Sequence, residues 1–288
     1  MRWPGLGTPR RLNATRRALL WWFGPPQLAH QNATVSVDVG AALAYLARLN
    51  AGEGPRVSLT HLVAAAIARA LAEHPKANAR VVGGRIFDPG YVGIAMPVSL
   101  EGHAGERHGE LSLTVVPDVG GLSLRALAAR TTRVVRAERG GAQQSGAVRF
   151  VFAAAERLPL RVLGALFDGV SAAIEHPLLA MPLWRLAPAT TVLSNPGAAL
   201  GDVPGALARG LAITLPARGP MTSTVWGLAG VQQEARVVDG QVVPRPCLPL
   251  VLAFDHRTVD AILAGRLLKR VAEILGAPEA VFGGDGGV

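Results

Sequence analysis

Apolar and polar residues alternate strictly in Thr34-Val-Ser-Val-Asp-Val39 and again in Leu111-Ser-Leu-Thr-Val-Val116, which predicts two strands with one buried face each. Between them the period lengthens. Ala and Leu at helical spacing predict a helix over 40–49, ending at Asn50-Ala-Gly52, and a longer Ala-rich helix that opens after Ser58. Ser58 or Thr60 is its candidate N-cap, and it stops at His74-Pro75 because the residue before a proline is driven out of the helical region. Residues 85–97 are expected to form paired strands around Asp88-Pro-Gly90, where Pro presets φ and Gly supplies a positive one. Further on, 122–139 reads as a cationic amphipathic helix, and 189–193, 212–216, 223–226 and 235–238 read as strands. Asp239-Gly240 predicts a hairpin turn into a strand over 241–244. The wholly apolar run 248–254 predicts a central buried strand, and 259–275 a closing helix. Residues 10–23 predict a short helix with Arg on one side and Leu and Trp on the other. Helices and strands are interleaved without an internal repeat, so the expected class is α+β, in a single domain spanning residues 1–288.

One segment departs from this pattern. Residues 148–188 are strongly apolar yet broken by Pro159, Pro177 and Pro182, with Arg157, Arg161 and Arg185 among the apolar positions. A helical hairpin packed on the domain is the favoured reading, as an apolar insertion; a membrane-surface or partner-docking hairpin is the alternative.

Composition narrows the function classes. The formal charge of +9 resembles a nucleic-acid signature, but the positive charge is nearly all Arg, with Lys only at Lys76 and Lys269. The Arg residues are scattered and no aromatic platform interleaves them, so no nucleic-acid partner is expected. A single cysteine, Cys247, excludes an intrachain disulfide and a cysteine zinc site. His103 and His108 lie in a glycine-rich stretch without a third ligand, so no metal is expected there. The apolar stretch 18–23 is too short for a signal-peptide core and Pro25-Pro26 stops it, so a cytoplasmic protein is expected.

Candidate chemistry concentrates at His256, which follows the buried strand and precedes the last helix. Asp255, Arg257 and Asp260 crowd around it, more charge than a plain strand-to-helix turn needs. The four-residue spacing allows Asp260 to stand one helical turn away and brace the loop. A lone histidine after a strand is more often structural, and Ser194 alone reads as a strand-end turn residue.

Asp255-His-Arg-Thr-Val-Asp260 resembles the Asp-His-Arg-x-x-Asp-Gly signature of the dihydrolipoyl acyltransferase catalytic domain of 2-oxoacid dehydrogenase complexes, a relative of chloramphenicol acetyltransferase. The likeness continues in order along the chain. Val57-Ser-Leu-Thr-His-Leu62 and His74-Pro-Lys-Ala-Asn78 are similar to the start and end of that family's long helix. Tyr91-Val-Gly-Ile-Ala95 and Thr191-Val-Leu-Ser-Asn-Pro-Gly197 are similar to two of its strands, and Gly227-Leu-Ala-Gly230 with Val237-Val-Asp-Gly240 to the hairpin before the histidine strand.

The resemblance implies a chloramphenicol acetyltransferase-like mixed sheet flanked by helices and a coenzyme A-dependent acyl transfer. His256 would be the general base that takes the proton of a thiol, and a histidine's ordinary pKa of about 6.5 suits that role near pH 7. Ser194 would donate a hydrogen bond to the oxyanion. Asp260 would form a salt bridge to Arg16 or Arg17 of the opening helix. The acceptor would be a lipoyl-type thiol, lipoamide on a separate chain, or another small acceptor. In the family the site lies between subunits, which implies a homotrimer, a larger assembly of trimers, and a lipoyl-domain or dehydrogenase partner. Three departures stand out: Ala261 replaces the signature's final Gly, no lipoyl domain is evident, and the stretch before the Ser-Asn strand is long. They motivate a second reading, a catalytically inactive assembly or docking protein using 148–188 as its interaction surface.

Overall fold

The computed structural model describes residues 5, 7–9, 30–99, 111–139, 162, 165, 168–169, 172–173, 175–186, 188–197, 212–213 and 222–287. The expected helix over 10–23, with Arg16 and Arg17, lies outside them, as do His103 and His108 and most of 148–176.

The alternating segment near the start becomes β2 (His30–Asp38), preceded by a two-residue strand β1 (Thr8–Pro9). Two helices follow, α1 (Gly40–Ala51) and α2 (Leu59–Glu73). Ser58 caps α2, its hydroxyl accepting the His61 N–H while the His61 ring accepts the Ser58 N–H, and His74 ends the helix before Pro75. From Leu62 to Ala68 every residue of α2 is buried, which marks it as a central helix and not a surface one.

Then come β3 (Arg80–Val82), β4 (Arg85–Asp88), β5 (Ile94–Ser99), β6 (Leu111–Val116), α3 (Leu124–Arg139), α4 (Pro177–Leu186), β7 (Thr191–Ser194), β8 (Thr224–Leu228), β9 (Gln232–Val238), β10 (Gln241–Asp255), α5 (Ala261–Gly276) and α6 (Glu279–Phe282). Among the described residues a mixed sheet runs β2-β10-β8-β7-β5-β6, with β9 also paired to β10, and a small sheet runs β1-β4-β3. The β5–β7 and β7–β8 contacts are parallel and the others antiparallel. Helices α1, α2 and α5 cover one face of the main sheet around Trp226, Leu250 and Leu252.

Residues 85–97 do not form the expected hairpin. β4 and β5 belong to different sheets, and β4 pairs with β3 across Gly83-Gly84, both at positive φ (55° and 68°). Asp88-Pro89-Gly90 makes its turn, with Gly90 at φ 81°, but the turn carries the chain from one sheet to the other. Of the expected strand 212–216 only Ala212 and Ile213 are described, and they are not in a strand; 214–216 lie outside the described residues.

The expected strands 241–244 and 248–254 are one strand of 15 residues, β10, running through three prolines. Each proline falls where no ladder N–H is needed. The Pro246 carbonyl takes the Val39 N–H at 2.9 Å, so Pro246, and Pro244 two residues before it, face the β2 side beyond the last paired residue of β2. The Pro249 carbonyl takes the Ala229 N–H at 3.1 Å, so Pro249 faces the other side. There the register slips by one residue between the Leu250–Leu228 and Cys247–Gln232 pairs, a bulge. Asp239 and Gly240 both take positive φ (50° and 78°), the two-residue turn that the Asp-Gly pair predicts.

In the 148–188 segment the described part ends in α4, which starts at Pro177 and continues through Pro182. Its Ala180 and Trp184 pack on Val82 and Phe87 of the small sheet. No described helix is long and apolar enough to cross a membrane.

Candidate functional site

His256 is the first residue beyond β10, and the turn that holds it is fixed from both ends. The Asp255 N–H donates to the Ser223 carbonyl at 3.0 Å, tying the end of β10 to the start of β8. The Asp255 carbonyl then accepts the Thr258 and Val259 N–H groups, each at 2.9 Å, and the Thr258 hydroxyl at 3.1 Å. Its carboxylate is buried and takes the Arg257 guanidinium in a fork, Nε at 2.9 and 3.0 Å and Nη2 at 2.7 Å, plus the Arg257 backbone N–H at 2.9 Å. Asp260 closes the turn as the N-cap of α5, accepting the Leu263 N–H at 2.8 Å. His256 itself is half-buried, its ring 6.0 Å from that of Phe254.

The surroundings of this turn are polar and buried. Thr190, Thr191, Thr222, Ser223 and Thr224 are all buried at the start of β7 and β8. The Thr191 and Thr224 hydroxyls share a 2.8 Å hydrogen bond, and the Ser223 hydroxyl donates to the Ala79 carbonyl at 2.7 Å. His30 lies opposite Asp255 in the ladder. Burial holds its pKa below the ordinary histidine value and Arg257 adds to that, against the pull of Asp255. Nearby Arg80 is fully buried, with no carboxylate paired to it among the described residues. It donates to the Gly5 carbonyl, to the Ala189 carbonyl at 2.8 Å and to the Tyr91 hydroxyl at 3.1 Å, and lies 4.0 Å from the Trp184 ring centre.

Ser194 ends β7 and is half-buried. It pairs with Gly227, which in turn pairs with Val251. From Val251 to Asp255 is four residues, about 13 Å of strand. Ser194 and His256 of one chain therefore stand at opposite ends of the β7-β8-β10 strip and do not meet within it. Asn195, beyond Ser194, donates to the Thr60 hydroxyl at 2.9 Å and joins this end to the start of α2. A cleft of about 800 Å³ opens near that helix start, lined by Leu43, Leu46, Arg56, Val57 and Leu59 among others, and not by His256, Ser194 or Asp260. No cluster of three metal-ligating side chains occurs among the described residues.

Sequence reasoning noted the charges around His256 but gave the Asp255–Arg257 pair no role. The signal was the i, i+2 placement at a strand end, where a side chain folds back across a turn. The Thr/Ser belt was also missed, since hydroxyl residues at strand starts read as ordinary turn composition.

A mixed sheet whose long central strand ends in a braced histidine turn, with helices on one face, defines a class of fold, and comparison places it. The chain aligns over 93% of its length with chloramphenicol acetyltransferase (all of that chain, TM-score 0.53, 15% identity). It also aligns over 93% of its length with a probable dihydrolipoamide acetyltransferase from Listeria monocytogenes (94% of that chain, TM-score 0.61, 17% identity). The fold is thus chloramphenicol acetyltransferase-like. The family described as 2-oxoacid dehydrogenases acyltransferase (catalytic domain) matches residues 26–148 and 216–283, and the chain belongs to it. His256 and Asp260 lie inside these stretches; Ser194 lies between them. The chain is 34% identical over 73 residues (25% of it) to the succinyltransferase component of the 2-oxoglutarate dehydrogenase complex 1 of Arabidopsis thaliana. It is 44% identical over 57 residues (20% of it) to the corresponding component of Bartonella vinsonii subsp. berkhoffii. These matches span only 16% and 14% of the relatives' own lengths.

Proposed function

We propose that the chain catalyses acyl transfer between coenzyme A and a thiol, a dihydrolipoyl group on a separate chain, at a site completed by association of copies into a trimer. The observation that carries this reading is the braced turn presenting His256 at the end of β10, within the stretch that matches the acyltransferase family. His256 accepts the proton of the acceptor thiol as the thiolate sulfur attacks the thioester carbonyl. The new C–S bond forms, the C–S bond to coenzyme A breaks, and the departing thiolate recovers the proton from His256. Ser194 from a neighbouring copy donates to the oxyanion, which accounts for its distance from His256 within one chain. Asp260, besides capping α5, pairs with Arg16 or Arg17.

The test is transfer from acetyl-CoA and succinyl-CoA to dihydrolipoamide, followed by chromatography of the acylated product. His256→Ala should abolish transfer and Ser194→Ala should lower kcat by roughly a hundredfold or more. Turnover by His256→Ala equal to that of the native chain overturns the reading.

A further inference from the structure

We propose that Ile213 is the side chain that limits which acyl groups the site takes, that Asn32 holds it in place, and that the substrates are short apolar acyl thioesters; this rests on the acyl-transfer reading above. Side chains along a strand alternate between faces. On β7, β8 and β10 the face away from α2 carries Val192 and Ser194, Val225 and Gly227, and Val251 and Ala253. Ile213 packs on that face against the Val225–Ala253 cluster, as Val192 does. Among the described residues one side chain holds it there. Asn32, opposite Ala253 in the ladder, donates its amide N–H to the Ile213 carbonyl at 3.3 Å and accepts the Ile213 N–H at 3.2 Å. Both backbone groups of Ile213 are thereby satisfied by an amide that mimics a neighbouring strand.

Ser194 is two residues beyond Val192 on the same face, about 7 Å along the strand. An acyl group whose carbonyl oxygen is bound by Ser194, and whose chain extends along this face, meets Ile213 in the next row. On the other side of Ser194 the chain closes on itself. Gly197 lies so near the backbone of Ala229 and Gly230 that a Cβ there would stand 2.2 Å from the Ala229 carbonyl carbon. An acyl tail lying there would be bounded by a branched apolar side chain on one flank and by backbone on the other. The side chains it would contact, Val192, Val225, Ala253 and Ile213, are apolar, and Asn32 in the same row has its amide engaged by the Ile213 backbone, so a tail ending in a carboxylate would be desolvated there. Ile213 lies in the 149–215 stretch between the two family matches, whereas Asn32, Val225 and Ala253 lie inside them.

The test is an acyl-CoA series (acetyl, propionyl, butyryl, hexanoyl and succinyl), read as kcat/KM for dihydrolipoamide acylation and as Kd on the His256→Ala variant. The native chain should favour acetyl and propionyl over hexanoyl and succinyl. Ile213→Ala, which removes roughly three carbons, should raise the hexanoyl-to-acetyl ratio by about tenfold or more. Asn32→Ala should shift the ratio in the same direction, and Ile213→Val by less, each with a melting curve to show the fold intact. Preference for succinyl-CoA in the native chain, or an unchanged ratio in both Ile213→Ala and Asn32→Ala, overturns the proposal. Loss of turnover by the native chain with the Kd pattern as expected would instead count against the acyl-transfer reading alone and still support the wall.

Discussion

Replacing Arg257 by Leu should destabilise the fold sharply, because it leaves a carboxylate buried with little to hold it. Asp255 is 2% exposed. It would lose the three guanidinium hydrogen bonds and keep only the backbone N–H of residue 257 at 2.9 Å. Removing one partner of a buried ion pair costs about 3–5 kcal/mol. The surviving N–H places this case near the lower end, about 3 kcal/mol. At roughly 2–4 °C per kcal/mol for a chain of this size, the apparent midpoint should fall by about 6–12 °C. Asp255→Asn combined with Arg257→Met removes both charges and should recover at least half of the loss, since an amide still accepts the backbone N–H. Melting should be followed at pH 7.5 in 0.1 M and in 1 M NaCl. A pair this buried is poorly screened, so the loss should persist at high salt. A drop below about 2 °C, or one that vanishes in 1 M NaCl, would refute the view that this pair braces the His256 turn.

Two further outcomes follow from the same geometry. The His61 pKa is lowered by burial, so the unfolded chain binds the proton more readily and stability falls as pH drops below about 6.5 toward the lowered folded value. Protonation also removes the ring nitrogen that accepts the Ser58 N–H. His61→Gln keeps an acceptor at this capping position and should shrink the loss of urea midpoint between pH 7.5 and 5.5; an unchanged loss would show that His61 is not its source. His30, whose pKa is lowered too, contributes with the same sign and keeps the loss from disappearing entirely. Gly197→Ala forces a Cβ within 2.2 Å of the Ala229 backbone and should destabilise by about 2 kcal/mol or more, a figure that equilibrium urea unfolding checks; a change below about 0.5 kcal/mol would show that the two segments part easily.

Much of the fold is legible in the residues because period and capping agree. The alternation at 34–39, the Ala-rich run after Ser58 and the Asp-Gly turn each point to the element observed. The failures share a cause. Prolines at 244, 246 and 249 argue against a strand only if the strand has neighbours on both edges throughout. β10 has neighbours on two edges over part of its length, and that follows from where β2 ends and where β8 gives way to β9. Likewise Asp88-Pro-Gly90 reads as a hairpin turn because nothing local says that the strands on either side join different sheets. Of the candidate residues, His256, Asp260 and Ser194 stand out only through motif likeness, whereas the Asp255–Arg257 fork and the Asn32–Ile213 pair depend on turns and register. Asn32 and Ile213 are 181 residues apart, and no spacing rule connects them.

The two ends of the β7-β8-β10 strip differ in what they are made of, and the difference matches what each would be asked to do. At the Asp255 end one carbonyl accepts from three donors, and buried hydroxyls of Thr191, Thr224 and Ser223 each have a partner. Hydrogen bonds are directional, and a buried donor or acceptor left unmade is costly, so such a belt admits one arrangement of the turn. Apolar packing of equal strength would tolerate a shifted turn, and a displacement of even 1 Å of a proton-transferring group can cost about a hundredfold in rate. Toward the Ser194 end the outer face carries Val192, Val225 and Ala253, with Ile213 packed on it, and then Gly227 and Val251, and these offer shape instead of direction. Shape discriminates among acyl groups, by roughly tenfold or more per methylene at best, but it cannot orient a base. Ser194 and Asp255 stand about 13 Å apart along the strip of one copy, so under the proposed transfer it is association of copies that would set the His256 of one against the Ser194 of another.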